Sequence, residues 1–135
     1  MNKLLALLTG LALAACAAGP PAPLGPQPTD PVGMRLSAPE LQNMVVGSTG
    51  TGTRTGTMSM WSMYVSPDGR LFGKSATLRD TGTWRITPDG QLCMQWQVDF
   101  DAQPTCVTAY RMGNAIQLAT SDARAVLTFL PGNKL

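Results

Sequence analysis

Apolar and polar residues alternate regularly in the second half of the chain. Within Gln91–Asp99 every second residue is apolar, namely Leu92, Met94, Trp96 and Val98. The residues between them, with Cys93 first, fall on the opposite side. A period of two is typical of a β-strand with one buried face. This segment therefore predicts a strand that contributes its apolar face to a core.

Short runs of the same kind, separated by Gly, Pro, Asp and Asn, follow one another along the chain. They are Val45–Thr57, Thr57–Val65, Arg70–Leu78, Thr81–Ile86, Gln91–Asp99, Thr105–Met112, Ala115–Ser121 and Ala125–Leu130. They predict about eight strands. The links between them are mostly too short for crossover connections, so consecutive strands should pair as antiparallel hairpins.

Two of the links are almost identical in sequence. "YVSPDGRL" spans Tyr64–Leu71 and "RITPDGQL" spans Arg85–Leu92. Pro fixes φ in a tight turn, Asp tolerates the next position, and Gly adopts the left-handed conformation that follows. Both stretches therefore predict hairpin turns rather than a repeated ligand loop.

These elements predict an all-β domain. We expect a small up-and-down antiparallel β-barrel of lipocalin-like form, because closure of the sheet removes exposed edges. A β-sandwich is the alternative. Ser37 and Glu40 have the spacing of a capping box, and Pro39 fits a first helical turn. A short helix over Ala38–Met44 should therefore precede the barrel strands.

The first residues have the organisation of a secreted bacterial precursor. Lys3 gives a basic start, and the apolar run Leu4–Leu13 is too short to span a bilayer. Leu13–Cys16 resembles a lipobox, whose Cys is lipidated and becomes the new N-terminus. The resemblance implies that residues 1–15 are a signal peptide and that Cys16 carries the lipid. An ordinary cleaved signal peptide is the alternative.

The residue after Cys16 is Ala17 rather than the Asp that favours inner-membrane retention. The resemblance therefore implies anchoring to the bacterial outer membrane, with the protein facing the periplasm. Residues 16–33 are rich in Pro and Gly and predict an extended tether. The barrel domain should then occupy residues 34–135.

Two cysteines remain beside the lipidation site. In an oxidising periplasm, Cys93 and Cys106 predict a structural disulfide on the outer side of neighbouring strands. A redox couple is the alternative, although the spacing is not that of a Cys-x-x-Cys motif.

The composition removes several kinds of chemistry. The chain contains no His, which excludes Ser-His-Asp triads and most zinc sites. The charges nearly balance without a basic stripe, so nucleic acid is not an expected partner. We expect a non-enzymatic protein with no catalytic residues and no cofactor.

Two further candidate sites come from the apolar residues. Met58, Met60 and Met63 beside Trp61 have the soft thioether ligands that suit Cu(I). In a strand, however, Met63 would point away from the other two, which favours core filling over a metal site. The inward set that includes Trp84, Met94 and Trp96 is the candidate ligand pocket, unless these side chains fill the interior.

A longer pattern resembles a known group of proteins. It consists of "YVSPDGRLFG", "TGTWRITPDGQLCMQWQ" and "CVTAYRMGN", with a Gly-x-Trp, a Leu-Cys-x-x-Trp and a second Cys. From Leu41 to the C-terminus the chain resembles a group of small proteobacterial envelope proteins of uncharacterised function. The resemblance implies a periplasmic β-domain and brings no catalytic residues.

The combination of lipid anchor, small barrel and disulfide is also similar to the membrane-bound C-type lysozyme inhibitors. Their inhibitory Ser-Gly loop motif has no counterpart here, so this similarity concerns the fold. The leading hypothesis is a lipid-anchored envelope protein that binds an envelope protein or a cell-wall component. The alternatives are a carrier of a small apolar ligand and a lysozyme-inhibitor-like protein.

Overall fold

The computed structural model describes residues 33–54 and 59–135, apart from the side chains of residues 100 and 101. These residues form nine strands, one α-helix and one 3₁₀ helix. In chain order they are β1 (Met34–Arg35), α1 (Ala38–Val45), β2 (Ser48–Arg54), β3 (Met60–Val65), β4 (Arg70–Ser75), β5 (Arg79–Ile86), β6 (Gln91–Trp96), the 3₁₀ helix (Asp99–Ala102), β7 (Thr105–Met112), β8 (Ala115–Ala119) and β9 (Arg124–Pro131).

Strands β2 to β9 form a closed antiparallel barrel. Each strand pairs with the next along the chain, and β9 pairs with β2 from Ser48 opposite Pro131 to Arg54 opposite Ala125. The predicted barrel is therefore confirmed, and the sandwich is not adopted. The extra strand β1 pairs with β7 at Tyr110 and Arg111, past the residues that pair with β6.

The inward residues of the strands form one core. Those most deeply buried include Met63, Val65, Leu71, Leu92, Trp96, Ile116 and Leu127. The predicted alternation in β6 is confirmed for Leu92, Met94 and Trp96, all of which are buried. The prediction is wrong for Val98, which is 63% exposed because β6 ends at Trp96 and the backbone leaves the strand there.

Helix α1 closes one end of the barrel, which we call the helix end. The backbone N–H of Ser37 donates to Glu40 Oε2 at 2.9 Å, as the capping-box pattern predicts. The helix continues one residue further than expected, to Val45. Leu41 and Val45 are fully buried and join the barrel core.

Both Pro-Asp-Gly stretches form hairpin turns, as predicted, and both turns lie at the helix end. Gly69 and Gly90 have φ of +87° and +83°, a left-handed conformation that Gly adopts without steric cost. The second turn contacts the chain that precedes α1, because Arg35 Nη2 donates to the carbonyl of Asp89 at 3.0 Å. The repeated sequence therefore builds two equivalent corners of one meander.

The cysteine pair predicted from the sequence is present. Cys93 on β6 lies directly opposite Cys106 on β7, with the two sulfur atoms 2.01 Å apart. Both side chains lie on the outer side of the barrel, opposite in phase to Leu92 and Val107. The disulfide therefore connects neighbouring strands from outside the core.

Trp96 packs against two inward positions that lack a side chain, both occupied by Gly. It lies opposite Gly82 on β5, and its six-membered ring reaches Gly73 on β4. A Cβ atom on Gly73 would lie 2.8 Å from Trp96 Cζ3 and 3.0 Å from Cη2. The absence of a side chain at Gly73 thus provides the space that the largest core residue occupies.

We expect Gly73→Ala to destabilise the barrel by about 1–3 kcal/mol, the usual cost of overpacking a core. Urea denaturation followed by Trp fluorescence measures the change. The matched control is the double variant Gly73→Ala with Trp96→Phe. It should show a smaller loss than the two single changes combined, because the clash is removed with the larger ring. Unchanged stability of Gly73→Ala would contradict this account of the packing.

Candidate functional site

The end of the barrel opposite α1, which we call the open end, contains a cavity that reaches the surface. Its volume is about 150 Å³. The side chains and backbone that line it include Arg54, Trp61, Gly73, Lys74, Asp80, Trp96 and Asp99. We call it the mouth cavity. A second void of about 40 Å³ lies beside it, lined in part by Arg54, Trp61 and Met94.

An ion pair spans the open end. Arg54 Nη2 lies 2.9 Å from Asp99 Oδ2. Arg54 ends β2 and Asp99 follows β6, and these two strands lie halfway round the barrel from each other. The side chains of Arg54 and Asp99 are 30% and 22% exposed, so the pair is half-buried and still accessible from solvent.

Arg54 points inward because alternate residues of β2 face the interior of the barrel, and Arg54 is one of them. Gly50, Gly52 and Arg54 share one side of the strand, while Thr51 and Thr53 are exposed on the other. The guanidinium carbon lies 5.9 Å from the centre of the Trp61 ring, within the range of a cation–π interaction. Arg54 is therefore held between an aromatic ring and a carboxylate.

Asp80 fixes the backbone that carries Asp99. Its Oδ2 accepts hydrogen bonds from the backbone N–H groups of Val98 at 3.1 Å and Asp99 at 2.8 Å. Its Oδ1 accepts from the backbone N–H of Thr81 at 2.8 Å. Asp80 thus joins the start of β5 to the start of the 3₁₀ helix and positions one side of the mouth.

These hydrogen bonds also keep Asp80 ionised. Partial burial raises the pKa of its carboxyl group, but backbone N–H donors lower that pKa by more, so the net pKa lies below the ordinary value. The donors belong to Asp99, Val98, Thr81 and Gln97. A carboxylate of this kind is an acceptor at neutral pH and is poorly suited to donate a proton.

Trp61 and Trp96 form the aromatic side of the mouth cavity. Their ring centroids are 5.8 Å apart in an edge-to-face arrangement. Trp96 is 2% exposed, and its indole N–H has no hydrogen-bond partner among the described residues. Leaving such a donor unpaired costs about 1–3 kcal/mol, so it is an exception within a well-satisfied core.

The three residues of the predicted pocket do not all reach the mouth cavity. Trp96 lines it, whereas Met94 lines the smaller void and is buried. Trp84 lies nearer the helix end, where its Nε1 donates to the carbonyl of Ser66 at 2.8 Å. That bond ties Trp84 to the first Pro-Asp-Gly turn and gives it a structural role.

The sequence interpretation missed the charged part of the site. It assigned neither Asp80 nor Arg54 to a site. The alternation of residues along the strands contained this information. Asp80 lies on the same side of β5 as the inward residues Gly82, Trp84 and Ile86. Arg54 lies on the same side of β2 as Gly50 and Gly52. Extending the alternation to the strand ends would have placed both residues inside the mouth.

The described residues do not bring Met60 and Met63 together as a Cu(I) site. Met60 is 64% exposed on the outer side of β3, and Met63 is fully buried in the core, in the opposite directions that the strand pattern predicts. Met58 lies outside the described residues, as do Cys16 and the whole segment before Gly33. Within residues 33–54 and 59–135 there is no cluster of three or more His, Cys, Asp or Glu that could hold a metal ion.

No helix in the described part of the chain is long and apolar enough to cross a membrane. Compared with known proteins, the chain matches no family model, no curated protein and no solved structure.

Asp80→Asn should weaken the barrel at neutral pH by about 1–2 kcal/mol, since an amide replaces an ionised acceptor that is only partly buried. The folded-state pKa of Asp80 is lowered, so its contribution is present above the unfolded pKa of about 3.9 and is lost as pH falls through the folded value. The stability difference between wild type and Asp80→Asn should therefore shrink on acidification.

Urea midpoints measured from pH 7 down to pH 3 test this. Asp122→Asn is the matched control, because it removes the same charge from an exposed position in the link between β8 and β9. Its difference from wild type should stay near zero throughout. A pH-independent loss in Asp80→Asn would show that the carboxylate charge contributes nothing.

Proposed function

We propose that this protein is a non-enzymatic, lipid-anchored binding module of the bacterial outer membrane, facing the periplasm. Its ligand would be an envelope protein or a cell-wall component that contacts the open end of the barrel. The observation that carries the proposal is the mouth cavity, where charged and aromatic side chains meet at a surface that remains accessible.

The position of β1 supports this orientation. The described chain reaches the barrel through β1 and α1 at the helix end, where Arg35 contacts the turn at Asp89. A tether over residues 16–33 would therefore join the barrel at the end remote from the mouth. In a lipidated protein this leaves the mouth cavity directed away from the point of attachment.

The packing of the interior favours binding at the mouth over carriage of an apolar ligand. Met63, Leu71, Leu92 and Ala109 are fully buried in the central layers of the barrel. The void beside Met94 measures about 40 Å³, well below the roughly 150 Å³ of a core cavity that holds one benzene molecule. No feature of the described residues favours lysozyme inhibition in particular.

The polar groups at the mouth also suit binding better than catalysis. Arg54 and Asp99 engage each other, and Asp80 accepts from backbone N–H groups that keep it ionised. General acid–base chemistry needs a group whose pKa lies near the working pH. The absence of His from the chain removes the side chain that meets this need most often.

Cys16→Ser should abolish lipid attachment. We expect wild-type protein to incorporate labelled palmitate and to sediment with outer-membrane vesicles, and the variant to do neither. Ala18→Ser is the matched control and should behave as wild type. Palmitate incorporation by Cys16→Ser would contradict lipidation at Cys16. Sedimentation of wild type with the inner membrane would contradict its anchoring to the outer membrane.

Photo-crosslinking in intact cells tests the binding end. A benzoyl-phenylalanine residue at Leu78, beside the mouth cavity, should give specific adducts with an envelope component. The same residue at Asn114, in the exposed turn between β7 and β8 at the helix end, is the control and should give none. Adducts at Asn114 alone, or at neither site, would contradict binding through the open end.

A further inference from the structure

The size of the mouth cavity limits what it can accept. A cavity of about 150 Å³ in a protein core is large enough for one benzene molecule. The mouth cavity has the same volume but opens to solvent, so substituents on a ring could project outward. Its volume therefore suits a single six-membered ring, either free or at the end of a larger molecule.

The charges around the cavity oppose a ligand with a net charge. Arg54 and Lys74 line it together with two carboxylates, Asp80 and Asp99. An anion would approach these carboxylates, and a cation would approach the guanidinium and ammonium groups. A neutral ligand that both donates and accepts hydrogen bonds avoids both repulsions.

The lining has one apolar side and one polar side. Trp61 is partly exposed and supplies aromatic surface, with the buried Trp96 packed against it, and the half-buried pair of Arg54 and Asp99 faces solvent at the rim. A hydroxyl group can donate to the Asp99 carboxylate and accept from the Arg54 guanidinium, and hydrogen bonds to charged groups are the stronger kind. The C–H face of the same ring can pack against an indole.

We infer that the mouth cavity binds one pyranose ring of an envelope saccharide, with its C–H face on the tryptophan side and its hydroxyl groups on Arg54 and Asp99. This rests on the proposed function, because it names the chemical class of the cell-wall component. A hexopyranose combines a neutral six-membered ring, an apolar face and a rim of hydroxyl groups. An aromatic acid lacks the neutrality, and an apolar ring lacks the hydroxyl groups.

Titration of the full ¹⁵N-labelled chain, held in detergent micelles, tests the inference by NMR. The probes are N-acetylglucosamine and methyl α-glucopyranoside. Benzoate, an anion of the same ring size, and phenol, an aromatic ring with one hydroxyl, are the comparison ligands. We expect the indole N–H resonances of Trp61 and Trp96 to shift with at least one pyranoside, with a dissociation constant on the order of 1 mM. The Trp84 resonance should not move.

Two variants separate the polar and aromatic contributions. Asp99→Asn keeps the shape of the rim, and Trp61→Leu keeps an apolar side chain. Each should weaken pyranoside binding roughly tenfold, which corresponds to about 1.4 kcal/mol. Trp84→Phe is the matched control and should bind as wild type, because Trp84 lies towards the helix end. Retained dispersion of the other resonances shows that each variant is folded.

The outcomes distinguish this inference from the proposed function. Binding of benzoate without the pyranosides would make the cavity an anion site, and binding of phenol alone would make it an apolar one. Either result, or no shift with any probe, overturns the saccharide inference. If crosslinks still form at the open end in cells, the proposed function as a binding module is retained, with a ligand other than a saccharide. Loss of pyranoside binding in Trp84→Phe would also count against the mouth as the site.

Discussion

The hydrogen bonds between β2 and β9 join the two edges of the sheet, and most of the molecule's properties depend on that closure. Closure separates an inside from an outside, so each strand must place alternate residues in a core of limited width. It also brings β2 and β6 to opposite sides of one opening. The ion pair between Arg54 and Asp99 is possible because closure places β2 and β6 on opposite sides of the same opening, where the two side chains reach each other.

The two ends of the barrel illustrate different uses of the same architecture. At the helix end, Leu41 and Val45 of α1 cover the core, and Trp84 uses its indole N–H to hold the first Pro-Asp-Gly turn in place. Most of the side chains that line the mouth cavity at the open end are charged, polar or aromatic, and the indole N–H of Trp96 has no hydrogen-bond partner among the described residues. The helix end is thus closed by apolar packing, whereas the open end carries the charged groups of the candidate site.

The local features were predictable from the sequence, and the contacts across the barrel were not. Alternation revealed the buried face of β6, the Pro-Asp-Gly stretches revealed their turns, and the spacing of Ser37 and Glu40 revealed the helix start. Each of these depends on neighbouring residues. Val98 was misplaced because alternation does not show where a strand ends, and the pairing of Arg54 with Asp99 depends on the curvature of the whole sheet. The lipid attachment at Cys16 stays a prediction.

Strand β1 lies outside the closed ring, because β7 already pairs with β6 and β8 along the barrel. Its two residues pair with the part of β7 that lies at the helix end, and the chain continues from β1 directly to α1. If the chain is fixed to a membrane through its N-terminal side, mechanical tension enters the domain at this short strand. The tension would act on β1 and α1 before it acts on the strands of the ring. The pairing of β1 with β7 could then separate and re-form while the mouth cavity keeps its shape.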